Sequence, residues 1–256
     1  MEKTIRYVAE TGYNALEIAP FTINKDVTAI SKEQRQEIRK MAADHKLEIS
    51  GIHWVLVQAE GMYVTHPDKV TRDRTADYFC ELVQFCSDLG GRFIVVGSPK
   101  QRNIMEGVTK EQAWEWATTT FSSSGKRAAE EGVTICLEPL APSETNFINT
   151  ADEAISFVKQ FNSANFKIIL DVKAMSSEAK PIAQIIRESW PHFAYFHAND
   201  KNLKGPGFGD VDFKPIAAAL KEVGYNGYVS VEVFKFEEGP EAIATRSLDY
   251  LKKVFA

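Results

Sequence analysis

One unit keeps recurring along the chain: a short apolar run, then a longer stretch with helical periodicity. Seven runs read as strands: "NALEIAP", "LEISGIHWVLV", "RFIVVGS", "VTICLEPL", "FKIILDV", "FAYFHA" and "YVSVEVF". Most are continuous rather than alternating, which is the pattern of strands covered on both faces. Strands of that kind form parallel sheets with right-handed helical crossovers. The repeat of roughly 25–40 residues accommodates one strand and one helix each time. Several helices have legible ends. Thr109 with Gln112, and Thr150 with Glu153, read as capping boxes. Asp212 reads as the cap of "FKPIAAALKEV", and Gly132 and Gly224 fall where helix C-termini take a left-handed residue.

Eight helical segments accompany the seven strands, and the chain opens in a helix, "MEKTIRYVAETGY". An eightfold barrel starts with a strand. The expected fold is therefore a (β/α)8 TIM-type barrel lacking its first β-strand, with residues 1–256 as one domain. A doubly wound open sheet is the alternative, but no glycine-rich phosphate turn follows any strand as a dinucleotide fold requires.

The composition narrows the function. A hydrophobic content of 44% over 256 residues supplies a large core. The net charge of −5, with no dense Lys/Arg cluster, argues against a nucleic-acid partner. No signal peptide and no run of membrane-spanning length is present, so a cytoplasmic protein without a membrane partner is expected. Cys80, Cys86 and Cys136 lack metal-type spacing and read as buried free thiols.

In a barrel the C-terminal strand ends converge on one mouth, where the chemistry sits. Four apolar runs close on a polar residue there: Glu138 in "ICLEPL", Asp171 in "IILDV", His197 in "AYFHA" and Glu232 in "VSVEV". Buried carboxylates cost several kcal/mol unless paired or metal-bound. Three of them beside one imidazole make a shell for one divalent ion. The mostly oxygen donors suit Mn²⁺, Mg²⁺ or Co²⁺, while Zn²⁺ prefers more nitrogen or sulfur.

The marks "LEPL", "LDVKAM", "FHANDKNLKGPGFGDVDF" and "VSVEVF", in that order, resemble the xylose-isomerase-like barrel superfamily. Within it they are similar to the sugar phosphate isomerase/epimerase group, which includes D-tagatose 3-epimerase and hydroxypyruvate isomerase. The resemblance implies that Glu138, Asp171, His197 and Glu232 bind one divalent metal and that Glu138 and Glu232 also work as the acid/base pair. It implies a small sugar or polyol substrate, with or without a phosphate, and suggests a homo-oligomer, dimer or tetramer. It gives Glu144, six residues past Glu138, a substrate contact. There are two departures. Ala174 stands where related epimerases have a substrate-holding histidine, with Lys173 as a substitute beside it, and the usual first strand is absent.

The chemistry expected of such a site is movement of a proton next to a carbonyl through an enediolate, with Glu138 and Glu232 on either side of the substrate. Epimerisation and aldose–ketose isomerisation are both within reach of these residues. A dehydratase acting on an inosose- or shikimate-like ring and a non-catalytic sugar-binding barrel are the alternatives. A multi-zinc phosphodiesterase would need more than the five histidines present. Further substrate-binding candidates are His53 and Trp54 after "ISGI", and Lys100, Gln101 and Arg102 after "VVGSP". Glu17 could face either core or site. The glycines at 205, 207 and 209 are expected to let their loop bend across bound substrate.

Overall fold

The computed structural model describes residues 1–256. Seven parallel strands lie in chain order in one sheet: β1 (Ala15–Ile18), β2 (Glu48–Ile52), β3 (Phe93–Val96), β4 (Thr134–Leu137), β5 (Phe166–Asp171), β6 (Phe193–Ala198) and β7 (Val229–Val231). Around them run α1 (Glu2–Thr11), α2 (Lys32–Asp44), α3 (Lys69–Asp88), α4 (Lys110–Glu131), α5 (Ala151–Val158), the single turn α6 (Val172–Met175), α7 (Ile182–Ser189), α8 (Phe213–Glu222) and α9 (Pro240–Phe255). This is a TIM-type barrel with one strand missing, as the strand count predicts. β1 and β7 are the two edges of the sheet. Ser230 Oγ donates to Glu17 Oε2 across the seam at 3.2 Å. Outside it, Tyr13 Oη near the end of α1 donates to the Ala244 carbonyl of α9 at 2.7 Å.

The apolar runs fill two spaces. A cluster of 50 buried residues lies mainly between sheet and helices, including Ile94, Leu137, Ile168 and Phe196. A second cluster of Val95, Cys136, Ile169 and Tyr195 fills the barrel. Neighbouring residues along a strand face opposite sides, so both faces must be apolar and the runs read as continuous.

The helix ends follow their local chemistry with one exception. Thr109 and Gln112 form the expected capping box. Thr150 caps Glu153 N, but the Glu153 carboxylate does not complete the box: Oε2 accepts from Asn149 N at 2.8 Å and Oε1 pairs with Lys110 of α4. The ammonium of another helix draws the carboxylate away from its own cap. Gly132 and Gly224 are left-handed, and Asp212 caps α8 through Lys214 N. No helix is long and apolar enough to cross a membrane. All three cysteines are free; Cys86 and Cys136 are buried and Cys80 partly so.

Candidate metal centre and active site

Each strand-end residue stands two positions beyond a side chain on the barrel's inner face: Glu138 after Cys136, Asp171 after Ile169, His197 after Tyr195, Glu232 after Ser230. Alternation along the strand therefore turns all four toward the axis. One donor atom from each lies within 4.8 Å of the others, and all four residues are buried. Asp171 and His197 are register partners on adjacent strands.

The electrostatics of this cluster are those of crowded, buried carboxylates. Burial first, then the charges of Glu232 and Asp171, push the Glu138 carboxyl up to about 8. Burial and Glu232 push Asp171 up to about 6. Burial also disfavours charge on Glu232 and His197, but their contact, Nδ1 to Oε2 at 3.1 Å, outweighs it. Glu232 is held well below the usual carboxylate range and the imidazole well above its ordinary value. Protons on Glu138 and His197 thus offset charge that a divalent ion would neutralise. Three carboxylates and one imidazole fit Mn²⁺, Mg²⁺ or Co²⁺.

A second ring of residues orients this set. His197 Nε2 meets Glu17 Oε2 at 2.9 Å. A metal-ligating histidine commonly gives its other ring N–H to a carboxylate, which fixes tautomer and ring plane. Glu17 in that role leaves Nδ1 toward Asp171 and Glu232. Glu17, His53 and His197 are also close enough to hold an ion themselves, but the Glu17 pairing already occupies Nε2. Trp54 Nε1 donates to Glu232 Oε1 at 2.9 Å, and His53 Nδ1 lies 3.2 Å from the same oxygen. Trp54 carries φ +53°, a left-handed value uncommon for a bulky residue. Its indole is stacked between Phe21 and Phe234, with ring centres 6.0 Å away on each side. Asp171 caps α6 through Ala174 N at 2.7 Å, and its other oxygen accepts from Asn199 Nδ2. Asn199 Oδ1 in turn accepts from Lys173 N at 2.8 Å. At Gly97 an added Cβ would lie 2.3 Å from Glu138 Oε2, so only glycine leaves that carboxylate its place. Glu17 was legible only as ambiguous. Asn199 and Gly97 were missed, although both sit within two residues of a strand end.

The remaining candidates separate. Glu144 and Lys173 meet each other, Oε1 to Nζ at 2.7 Å, with the ammonium 4.2 Å from the Phe234 ring centre. Arg102 turns inward and is 2% exposed. Burial draws its guanidinium down to about 10, opposed by Glu138 and Glu144. Lys100 and Gln101 instead line a surface cavity of about 800 Å³ with Met62, His66 and Arg74. A tight turn over Pro99–Gln101 sends successive side chains in different directions. The glycines of the loop after β6 sit at close approaches. A Cβ at Gly205 would lie 2.5 Å from Ser247 Oγ, at Gly207 2.8 Å from the Tyr250 ring, and at Gly209 2.3 Å from the Asp200 carboxyl. The loop is also pinned, since the Leu203 carbonyl accepts from Phe234 N and Lys235 N.

Glu138 and Glu232 thus reach one candidate cation site from different strands, with the aromatic stack against Glu232. Residues 5–254 match the family described as Xylose isomerase-like TIM barrel. The D-psicose 3-epimerase of Ruminiclostridium cellulolyticum is 29% identical over 234 residues, covering 90% of this chain and 77% of the relative. The L-ribulose 3-epimerase of Mesorhizobium japonicum is 29% identical over 185 residues, covering 72% of this chain and 62% of the relative. The crystal structure of D-psicose 3-epimerase with D-tagatose from Clostridium cellulolyticum H10 superposes with a TM-score of 0.86 at 25% identity, covering 99% of this chain and 93% of that one.

Proposed function

The chain belongs to the xylose isomerase-like TIM barrel family, and we propose that it is a divalent-metal-dependent epimerase that inverts the carbon next to the carbonyl of a keto-sugar. One observation carries this reading: Glu138, Asp171, His197 and Glu232 present donors within 4.8 Å of one another at the ends of four consecutive strands. The similarity to 3-epimerases of free ketoses supports the reaction type.

When bound, the divalent ion neutralises charge that develops on two adjacent sugar oxygens. Glu232 acts as base. Its aim is set through Oε1 by Trp54 and His53. It takes the proton from the carbon beside the carbonyl, and the C–H electron pair forms the enediolate. Glu138, on β4, returns a proton to the opposite face and the configuration inverts; in the reverse direction the two exchange roles. Phe21, Trp54 and Phe234 form an apolar wall that keeps water from the enediolate. His53, Trp54, Arg102, Glu144 and Lys173 contact the substrate at the mouth.

The test is solvent-deuterium incorporation into a panel of ketoses and inososes with Mn²⁺, Mg²⁺ or Co²⁺ added. The expected result is one deuterium at the carbon beside the carbonyl of a ketose, without mass loss, and none with Glu232→Gln. Loss of water from an inosose would replace this reading with a dehydratase, and no exchange on any compound would refute it.

A further inference from the structure

We infer that Arg102 is a substrate-positioning residue whose Nε–Nη2 edge holds free hydroxyls of the sugar chain, so that the substrate is an unphosphorylated ketose. This rests on the epimerase reading of the same site.

The chain leaves six buried side-chain polar atoms without a partner, and four of them belong to three residues around the mouth: Arg102 Nε, Arg102 Nη2, Glu144 Oε2 and Glu17 Oε1. Buried polar groups are nearly always hydrogen-bonded, so such a cluster marks where something else binds. Arg102 is the sharpest case. The residue is 2% exposed, and its one side-chain hydrogen bond is a long one, Nη1 to the Val96 carbonyl at 3.5 Å. The two open N–H groups share one edge of the guanidinium, the fork that grips two oxygens at once.

The neighbouring charges decide what those oxygens belong to. Glu144 and Glu138 are the carboxylates acting on Arg102. Lys173 is already engaged by Glu144 Oε1. A phosphate dianion gripped by Arg102 would lie beside the Glu144 carboxylate, whose Oε2 has no donor. A hydroxyl fits instead, because it accepts from Arg102 and donates to the open Glu144 Oε2. Vicinal hydroxyls satisfy the fork and the acceptor together. The outer cavity offers less. Lys100 is exposed, and Arg74 Nη2 there already donates to the Gly61 carbonyl.

The test compares wild type with Arg102→Lys, which keeps the charge and removes the fork, and with Glu144→Gln. Substrates are a ketohexose, its monodeoxy analogues and its 1- and 6-phosphate esters. Wild type should prefer the parent ketose over at least one monodeoxy analogue by about 10- to 100-fold in kcat/KM, the range of a hydrogen bond to a charged group. In both variants that preference should collapse, mainly through KM. The phosphate esters should be poorer than the parent. A hexitol, which binds without turnover, should bind wild type more tightly than Arg102→Lys by calorimetry. Uniform slowing of every analogue, or a phosphate ester as the better substrate, would overturn the inference. Hexitol binding that depends on Arg102 without proton exchange on any ketose would overturn the epimerase reading while supporting the subsite. Exchange with unchanged discrimination in a variant of wild-type melting temperature would do the reverse.

Discussion

Strands β4–β7 and strands β1–β3 line the same mouth but treat it differently. Each strand of the first arc ends in a residue whose donor atom lies within 4.8 Å of the other three, as a shared metal ion would require: Glu138, Asp171, His197 and Glu232. The second arc aims them. Glu17 in β1 holds His197, His53 and Trp54 after β2 hold Glu232, and Gly97 after β3 leaves room for Glu138. A donor set packed this closely repels itself. Hydrogen bonds from the opposite wall to His197 and Glu232, and from Ala174 and Asn199 to Asp171, hold its geometry.

Substitutions in the two arcs should therefore differ in size. The largest effect belongs to Asp171→Asn, which removes a donor and reverses its hydrogen-bond partnership with Asn199 Nδ2. Metal affinity should fall by more than the ~10- to 100-fold that a supporting residue commands, and deuterium exchange should disappear. Glu17→Gln comes next. It keeps shape but lowers the basicity of the imidazole, and a drop of about 10- to 100-fold in metal affinity, measured by titration with Mn²⁺, is expected. If Glu17→Gln matched wild type, the division between donors and orienters would fail. Trp54→Phe should be smallest. The aromatic stack survives and one hydrogen bond to Glu232 is lost, giving a fall in kcat/KM of about 2- to 10-fold.

The pH dependence of metal binding sharpens the same contrast. Burial and the neighbouring carboxylates raise Glu138 from 4.5 to about 8, so it is protonated at neutral pH in the metal-free chain. Glu138 keeps that proton as the acid of the reaction, while an ion bound through His197 Nδ1 must displace a proton from the imidazole, which is held well above its ordinary value. Affinity should climb as pH rises and weaken as pH falls. Calorimetry near neutral pH in buffers of different ionisation enthalpy should register net proton release. Heats independent of the buffer would contradict the raised value.

The donor arc was legible because each donor interrupts an apolar run at an equivalent place, and a charge there has no ordinary explanation. The orienting arc was not. Glu17 sits in "LEIAP" like any half-buried acid, and its partner lies 180 residues away. The need for glycine at 97 comes from a carboxylate on the next strand. α6 is a single turn, too short for any periodicity, and exists because Asp171 caps it. Arg102 and Lys100 belong to one loop and looked alike; only the turn geometry separates the inward cation from the solvated one. The glycines at 205, 207 and 209 looked like flexibility, but they mark close approaches to Ser247, Tyr250 and Asp200.

The most direct measurement is metal stoichiometry by equilibrium dialysis against Mn²⁺, for wild type and for single substitutions of Glu138, Asp171, His197 and Glu232. One tightly held ion per chain, weakened by every one of the four substitutions, is the predicted result. Undiminished binding after any one of them would contradict a single ion shared by four strand ends.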